Sequence, residues 1–228
     1  MIQVENTETY GWESALRGMR NPMQSWYKSD SHFDNGEYIL GEEDIRLAKK
    51  LAMSGADHAK YLRQISVTMD INAPLYWWKE MDTYKVGTAA NSESTMHRLS
   101  YAPITKDCFS FDVELSNLKI NPNDIRYSGD YALSFKDDVD TIVQICESYR
   151  ALYLETKDKR YWRALIQLLP SSWNQLRTWS GNYQVLRNIY HARKNHKLKE
   201  WHVFCSVIET LPYASELIVG DTKNGTGI

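Results

Sequence analysis

ISVTMDINAPLYWWKEMDTY, residues 65–84, changes its hydrophobic period at its midpoint. Ile65, Val67, Met69 and Ile71 alternate with Ser66, Thr68 and Asp70, the two-residue repeat of a strand with one buried face. Asn72-Ala73-Pro74 ends that repeat. Proline's fixed φ suits a first helical turn, so the following LYWWKEMDTY is predicted helical. A strand feeding a helix, with more helices to either side, predicts an α+β fold: a small mixed or antiparallel sheet flanked by helices.

Upstream, EEDIRLAKKLAMSG (42–55) carries three acids in its first turn and Gly55 as a stop. Its Ile45, Ala48, Leu51 and Ala52 share one helix face. Downstream, 85–131 lacks regular period and reads as a long loop with short elements, of the kind that carries function or moves. Val139, Ile142, Val143, Cys146, Tyr149 and Tyr153 then recur at helical spacing. RYWRALIQLLP forms a second helix stopped by Pro170. Ser171-Ser172 is read as the cap of a third helix reaching Arg193, and Lys197–Leu211 as a fourth ending at Pro212. The C-terminal half is thus expected to be helical. One domain is expected over 1–219, with a flexible tail at 220–228.

The chain has 228 residues, and 27 Lys plus Arg against 29 Asp plus Glu give a charge of −2. That balance argues against a general nucleic-acid binder. No run approaches the ~18 apolar residues of a membrane span. MIQVENTETYGWES has neither the basic start nor the apolar run of a signal peptide. Cys108, Cys146 and Cys205 are odd in number and far apart, which suggests reduced thiols, so a cytoplasmic setting is expected. Cys146 and Cys205 lie among apolar helical residues and read as small core side chains. Eight Trp and fifteen Tyr against five Phe favour either ligand pockets or an aromatic core with wet edges.

No glycine-rich phosphate loop or serine elbow is present, and His191, His196 and His202 lack the spacing of a helical zinc site. Cys108 has no base partner in sequence. Two polar stretches stand out. Asp82–Arg98 gathers hydroxyls, acids, an amide, a His and an Arg in a loop able to line a phosphate or a pyrimidine edge, or simply a flexible connection. Asn182–Arg193 sets Asn182, Asn188 and Arg193 along one segment, which by itself reads first as an exposed polar helix face.

Taken together, these landmarks resemble the flavin-dependent thymidylate synthases over about residues 40–215. Gly55-Ala-Asp-His58, the strand 65–71 and Ala73-Pro74 are similar to the family's Gly-His segment, core strand and Ala-Pro helix start. Ser148-Tyr149-Arg150 through Leu169-Pro170 is similar to the long helix and Leu-Pro preceding its ligand helix. Asn182, Asn188 and Arg193 match that helix at identical spacing. The resemblance implies a homotetramer with active sites at subunit interfaces, and FAD as cofactor. It also implies reductive methylation of dUMP to dTMP, with methylenetetrahydrofolate and NADPH as cosubstrates and no cysteine nucleophile. It places His58, Lys85, Glu93, Asn182 and Asn188 at the flavin, and Arg193 as the catalytic group at the uracil ring. Glu80, Ser92, Ser94, Thr95, His97 and Arg98 are placed around the nucleotide. A guanidinium stabilises charge developing on the ring because it keeps its proton.

Several positions depart from the family's pattern. Arg-His-Arg reads Thr83-Tyr84-Lys85, the arginine four residues before Pro170 is Ile166, and Glu80 stands in place of a Gln. Three readings follow. The first is the thymidylate synthase reaction. The second keeps the flavin but transfers a hydroxymethyl or other one-carbon unit to a pyrimidine nucleotide. The third is a non-catalytic nucleotide or nucleic-acid binder using Trp77, Trp78, Tyr84 and Arg98 as a stacking platform.

Overall fold

The computed structural model describes residues 2–119 and 134–220. The tail expected from 220 therefore lies, past Gly220, outside the described residues, as does the 85–131 stretch beyond 119. In chain order the elements are β1 (Gln3–Tyr10), α1 (Trp12–Arg20), β2 (His32–Asp34), β3 (Glu37–Ile39), α2 (Glu42–Met53), β4 (Ser66–Pro74) and α3 (Leu75–Met81). There follow β5 (Ala89–Ser92), α4 (Thr95–Tyr101), α5 (Phe135–Thr156), α6 (Lys159–Leu168), β6 (Asn174–Asn182), α7 (Tyr183–Arg193) and α8 (Lys199–Glu209). One sheet has the order β1-β4-β6-β5, and β2 and β3 form a separate antiparallel hairpin. Tyr183 N donates to Ile65 O, and Leu75 N to Trp173 O, so β6 runs antiparallel to β4. The expected fold class is the one observed.

By internal contacts the chain divides into two compact units: Met1–Gln3, Asn72–Met81 and Ser92–Arg177 in one, and Val4–Ile71, Asp82–Asn91 and Thr178–Ile228 in the other. In the second unit, Val67, Met69 and Ile71 point one way from β4 and are buried, as the alternation requires. They share the core with Leu16, Leu62, Leu186 and Phe204. Trp12 meets Tyr183 edge-on at 5.1 Å. A buried ion pair fixes the segment entering α2: Arg20 Nε donates to Asp44 at 2.6 Å, and the Ser29 and Ser31 hydroxyls donate to the other carboxylate oxygen. Burial alone would raise the Asp44 pKa, but those hydroxyls and the guanidinium hold it below the usual carboxylate value.

In the first unit, Leu99, Ile104, Phe109, Cys146, Leu165 and Trp173 form an apolar cluster, with Ile142 and Ile166 packed against it. Its α5 begins with a capping box between Ser134 and Asp137.

The structure corrects three expectations. Ser171–Arg193 is not one helix: 174–182 is strand β6, because Trp179 and Gly181 are buried two apart. A Cβ on Gly181 would sit 2.2 Å from the Trp179 ring, so the indole folds over a residue that cannot carry a side chain. Residues 85–119 hold the short elements expected there, among them β5 and α4. The sequence reading also did not foresee β1 and α1, since β1 is an edge strand whose residues are mostly exposed. Finally, Trp77 and Trp78 are fully buried, with Trp78 donating to Gln175 O at 2.9 Å, so they offer no stacking platform. The non-catalytic reading loses its main support.

Candidate functional site

α7 starts where β6 ends. Asn182 leaves the strand extended and turns its side chain onto the new helix, accepting from Val185 N at 3.1 Å. The predicted flavin residue is thus an N-cap, satisfying one of the helix's orphan donors. Val185 N takes up the Asn182 oxygen and leaves the Asn182 amide NH2 for other partners. That amide lies against the 84–88 segment: a Cβ on Gly87, whose φ is +73°, would come within 3.1 Å of Asn182 Nδ2. Glycine serves both the left-handed turn and this close approach.

Further along α7, Asn188 is exposed and accepts from Gln184 Nε2 at 3.0 Å. The other end of that amide, Gln184 Oε1, is buried with no hydrogen-bond partner. A buried acceptor without a donor is costly, and a ligand N–H would relieve it.

Arg193 closes the helix, where a cation is favoured by the backbone dipole. Its Nε donates to the Tyr84 hydroxyl at 2.9 Å. Its guanidinium carbon lies 5.5 Å from the Tyr84 ring and 4.8 Å from the Trp201 ring. Other α7 side chains serve the scaffold. Tyr183 is buried and its phenol raised in pKa by that burial, donating to Pro212 O. His191 is pushed below its ordinary pKa, first by burial and then by Arg187, so it is neutral at pH 7. The 84–88 turn therefore meets α7 at two points, through the Tyr84 side chain at Arg193 and through Gly87 at Asn182. Lys85 lies exposed on that segment.

His58 does not join this group. It lines a separate cavity of about 550 Å³ with Met19, Leu47, Leu51 and Tyr61.

In the first unit Glu93, expected at the flavin, and most of the residues expected around the nucleotide gather at the start of α4. Ser94 caps that helix, accepting from His97 N. Glu93 accepts from Arg98 Nη1 at 2.8 Å and from Leu176 N at 3.1 Å. Arg98 also donates to Asn174 O at 3.1 Å and lies 4.9 Å over the Trp173 ring. Both charges are thus committed to one another and to β6. Thr95 accepts from Gln175 Nε2. Glu93, Ser94, His97 and Arg98 line an open cleft of about 520 Å³. Ser92 is exposed at the end of β5, and Glu80 is half-buried on α3. Ile166, standing where the resembling family carries an arginine, packs on the apolar cluster.

Trp201 and Gln184 escaped the sequence reading, and Tyr84 entered it only for stacking and as a departure from the family pattern. Only Tyr84 carried a signal, as the aromatic inside the altered Arg-His-Arg position.

The residues present suit a flavin. Primary amides on one helix, an unsatisfied buried acceptor and a glycine cradle answer an isoalloxazine edge rich in N–H and carbonyl groups.

Comparison with solved structures shows which fold this is. The chain matches thymidylate synthase X from Helicobacter pylori, crystallised with FAD and dUMP, at a TM-score of 0.66 and 18% identity, covering 96% of this chain and 97% of that one. It also matches the UMP/dUMP methylase PolB from Streptomyces cacaoi, bound with 5-Br dUMP, at a TM-score of 0.57 and 19% identity, covering 92% and 89%. No family model and no curated protein sequence matches the chain.

Proposed function

We propose that this chain, which has the fold of the flavin-dependent thymidylate synthases, is a flavin-dependent enzyme that methylates dUMP to dTMP. The observation that carries the reading is the α7 arrangement: an N-capping Asn182, an orphaned Gln184 acceptor beside exposed Asn188, and an Arg193 whose guanidinium meets the Tyr84 and Trp201 rings. In this reading Asn182, Gln184, Asn188 and Lys85 hold FAD, which when bound supplies the hydride. His58 belongs to the flavin site in the assembled homotetramer, whose active sites lie at subunit interfaces. Methylenetetrahydrofolate gives the carbon, NADPH restores the flavin, and the enzyme works in the cytoplasm.

Arg193 stabilises negative charge on the uracil ring. Its guanidinium contacts two aromatic rings and donates to the Tyr84 hydroxyl, so it is already oriented before the ring arrives. Ser94, Thr95, His97 and Arg98, with Ser92 and Glu80, bind the nucleotide, and Glu93 belongs to the flavin site. The buried cysteines supply no nucleophile: burial raises the Cys146 pKa, and burial followed by Glu209 pushes Cys205 up to about 11.

A second reading keeps the flavin and changes the transferred group or the nucleotide. Two observations favour it: Ile166 sits in the apolar cluster, and Arg98 is neutralised by Glu93. One experiment separates the readings. The purified chain is incubated with FAD, methylenetetrahydrofolate, NADPH and dUMP, UMP or dCMP, and the products are weighed. A methyl adduct on dUMP alone supports the first reading and a hydroxymethyl adduct the second. Colourless protein that takes up no added FAD defeats both.

A further inference from the structure

We propose that the cavity between the β2–β3 hairpin, the start of α1 and the chain after α8 binds a small organic cation, an amine or alkylammonium group caged by aromatic rings. The site shares no residue with those assigned above to flavin and nucleotide, and it does not depend on that reading.

The cavity measures about 770 Å³, within the range of small-molecule sites. Tyr10, Trp12, Phe33, Tyr38 and Tyr213 line it. An aromatic face carries negative charge, which attracts a cation and gives a neutral ligand of the same shape no such gain. Glu13 and Glu37 add two carboxylates to the lining, and Lys, Arg and His are absent from it among the described residues. Glu13 pairs with Arg17 at 3.3 Å, whereas Glu37 is exposed and forms no ion pair among the described residues. Tyr10 donates its hydroxyl to Glu8, which brings a third carboxylate to that wall.

An anion is the wrong partner for this lining. α1 begins at the cavity, and its positive N-terminus alone would favour one. Glu13 stands in that first turn and already answers the dipole.

The local sequence builds the cage. Asn35 and Gly36 have φ of +48° and +89°, as the two-residue turn of a twisted hairpin requires. That turn sets Phe33 directly opposite Tyr38, on one side of the hairpin, where the rings meet edge-on at 4.9 Å. Phe33 is 60% exposed, so its ring keeps surface for a ligand to cover. On the other wall Trp12 and Tyr213 meet edge-on at 5.5 Å, and the Tyr213 hydroxyl accepts from Leu40 N at 3.0 Å. Tyr213 holds a φ of +54°, a left-handed backbone that a bulky residue rarely adopts and that persists only where its surroundings impose it. Rings fixed before a ligand arrives lose little freedom on binding.

Choline chloride and its neutral isostere 3,3-dimethylbutan-1-ol, in which carbon replaces the quaternary nitrogen, are titrated into the full chain at constant ionic strength. Binding is read from the NMR signals of the Gly36 and Glu37 amides and the Trp12 indole N–H. Choline should move these signals and bind roughly 5- to 30-fold more tightly than the alcohol, the gain of about two ring contacts. Glu37→Gln and Phe33→Leu, both at exposed positions, should keep the wild-type melting temperature. Each should weaken choline several-fold and leave the alcohol nearly unchanged.

Equal binding of choline and the alcohol overturns the inference, because the cavity would then be merely apolar. So does choline binding that moves other signals only, or that either folded variant retains in full. Inorganic phosphate moving these signals at lower concentration than choline would make the cavity an anion site and overturn it as well. The wild-type comparison decides the matter even where a variant fails to fold.

Discussion

Gly87→Ala attacks the point where the 84–88 segment touches α7. The φ of +73° places any side chain in the left-handed region, at a cost of about 1 kcal/mol. The new Cβ would stand 3.1 Å from Asn182 Nδ2, tighter than ordinary contact, so the amide must move. That amide cannot move freely, because its oxygen caps α7 at Val185 N. Weakening the cap adds up to about 1 kcal/mol. The expected loss is therefore about 1–2 kcal/mol in urea unfolding. Gly36→Ala is the matched control: its φ is +89° and nothing lies within 4 Å of a Cβ there, so it carries strain alone. Both variants should fold, and Gly87→Ala alone should lose FAD affinity several-fold. If the two variants bind FAD equally well, the 84–88 segment and the Asn182 amide do not form the flavin cradle.

Other expectations test the frame around the site. Asp44→Ala strands the buried Arg20 and should cost about 3–5 kcal/mol. Because the folded Asp44 pKa is depressed, its stabilisation is present above pH ~4 and lost as pH falls through the lower folded value, so urea midpoints from pH 3 to 7 should slope in wild type more than in the variant. Ile166→Arg, which restores the family's residue, should destabilise by about 1–3 kcal/mol without tightening dUMP binding, because the side chain enters the cluster of Leu99, Phe109 and Trp173. The three cysteines are buried, so a thiol reagent at pH 8 should label the native chain slowly and all three sites after denaturation.

Much of the fold was legible where burial is one-sided. β4, α2, α5, α6 and α8 each present a clear apolar stripe, and Gly55, Pro170 and Pro212 end their segments as local chemistry requires. β6 was not legible. Its Leu176 is exposed while Trp179 is buried, and the polar QLRTWSGN joins directly to a real helix at Asn182, so a single long helix seemed complete. β1 failed for the opposite reason: a strand with few buried residues carries little hydrophobic signal. The spacing of Asn182, Asn188 and Arg193 stood out only through the family resemblance, since the same residues suit an exposed helix face. Residues 109 apart meet in the Tyr84–Arg193 contact, and the Gln184 orphan appears only once its neighbours are packed. Neither is a property of local sequence. The Glu93–Arg98 pair lay inside the polar stretch, but its mutual neutralisation depends on β6 arriving beside it.

The account depends most on α7 being the flavin helix. A crystal structure of the chain soaked with FAD and dUMP tests that directly. The isoalloxazine should lie against Asn182, Gln184 and Asn188, with the pyrimidine at Arg193. Flavin bound elsewhere, with the Gln184 acceptor still unpartnered and no pyrimidine at Arg193, would contradict it.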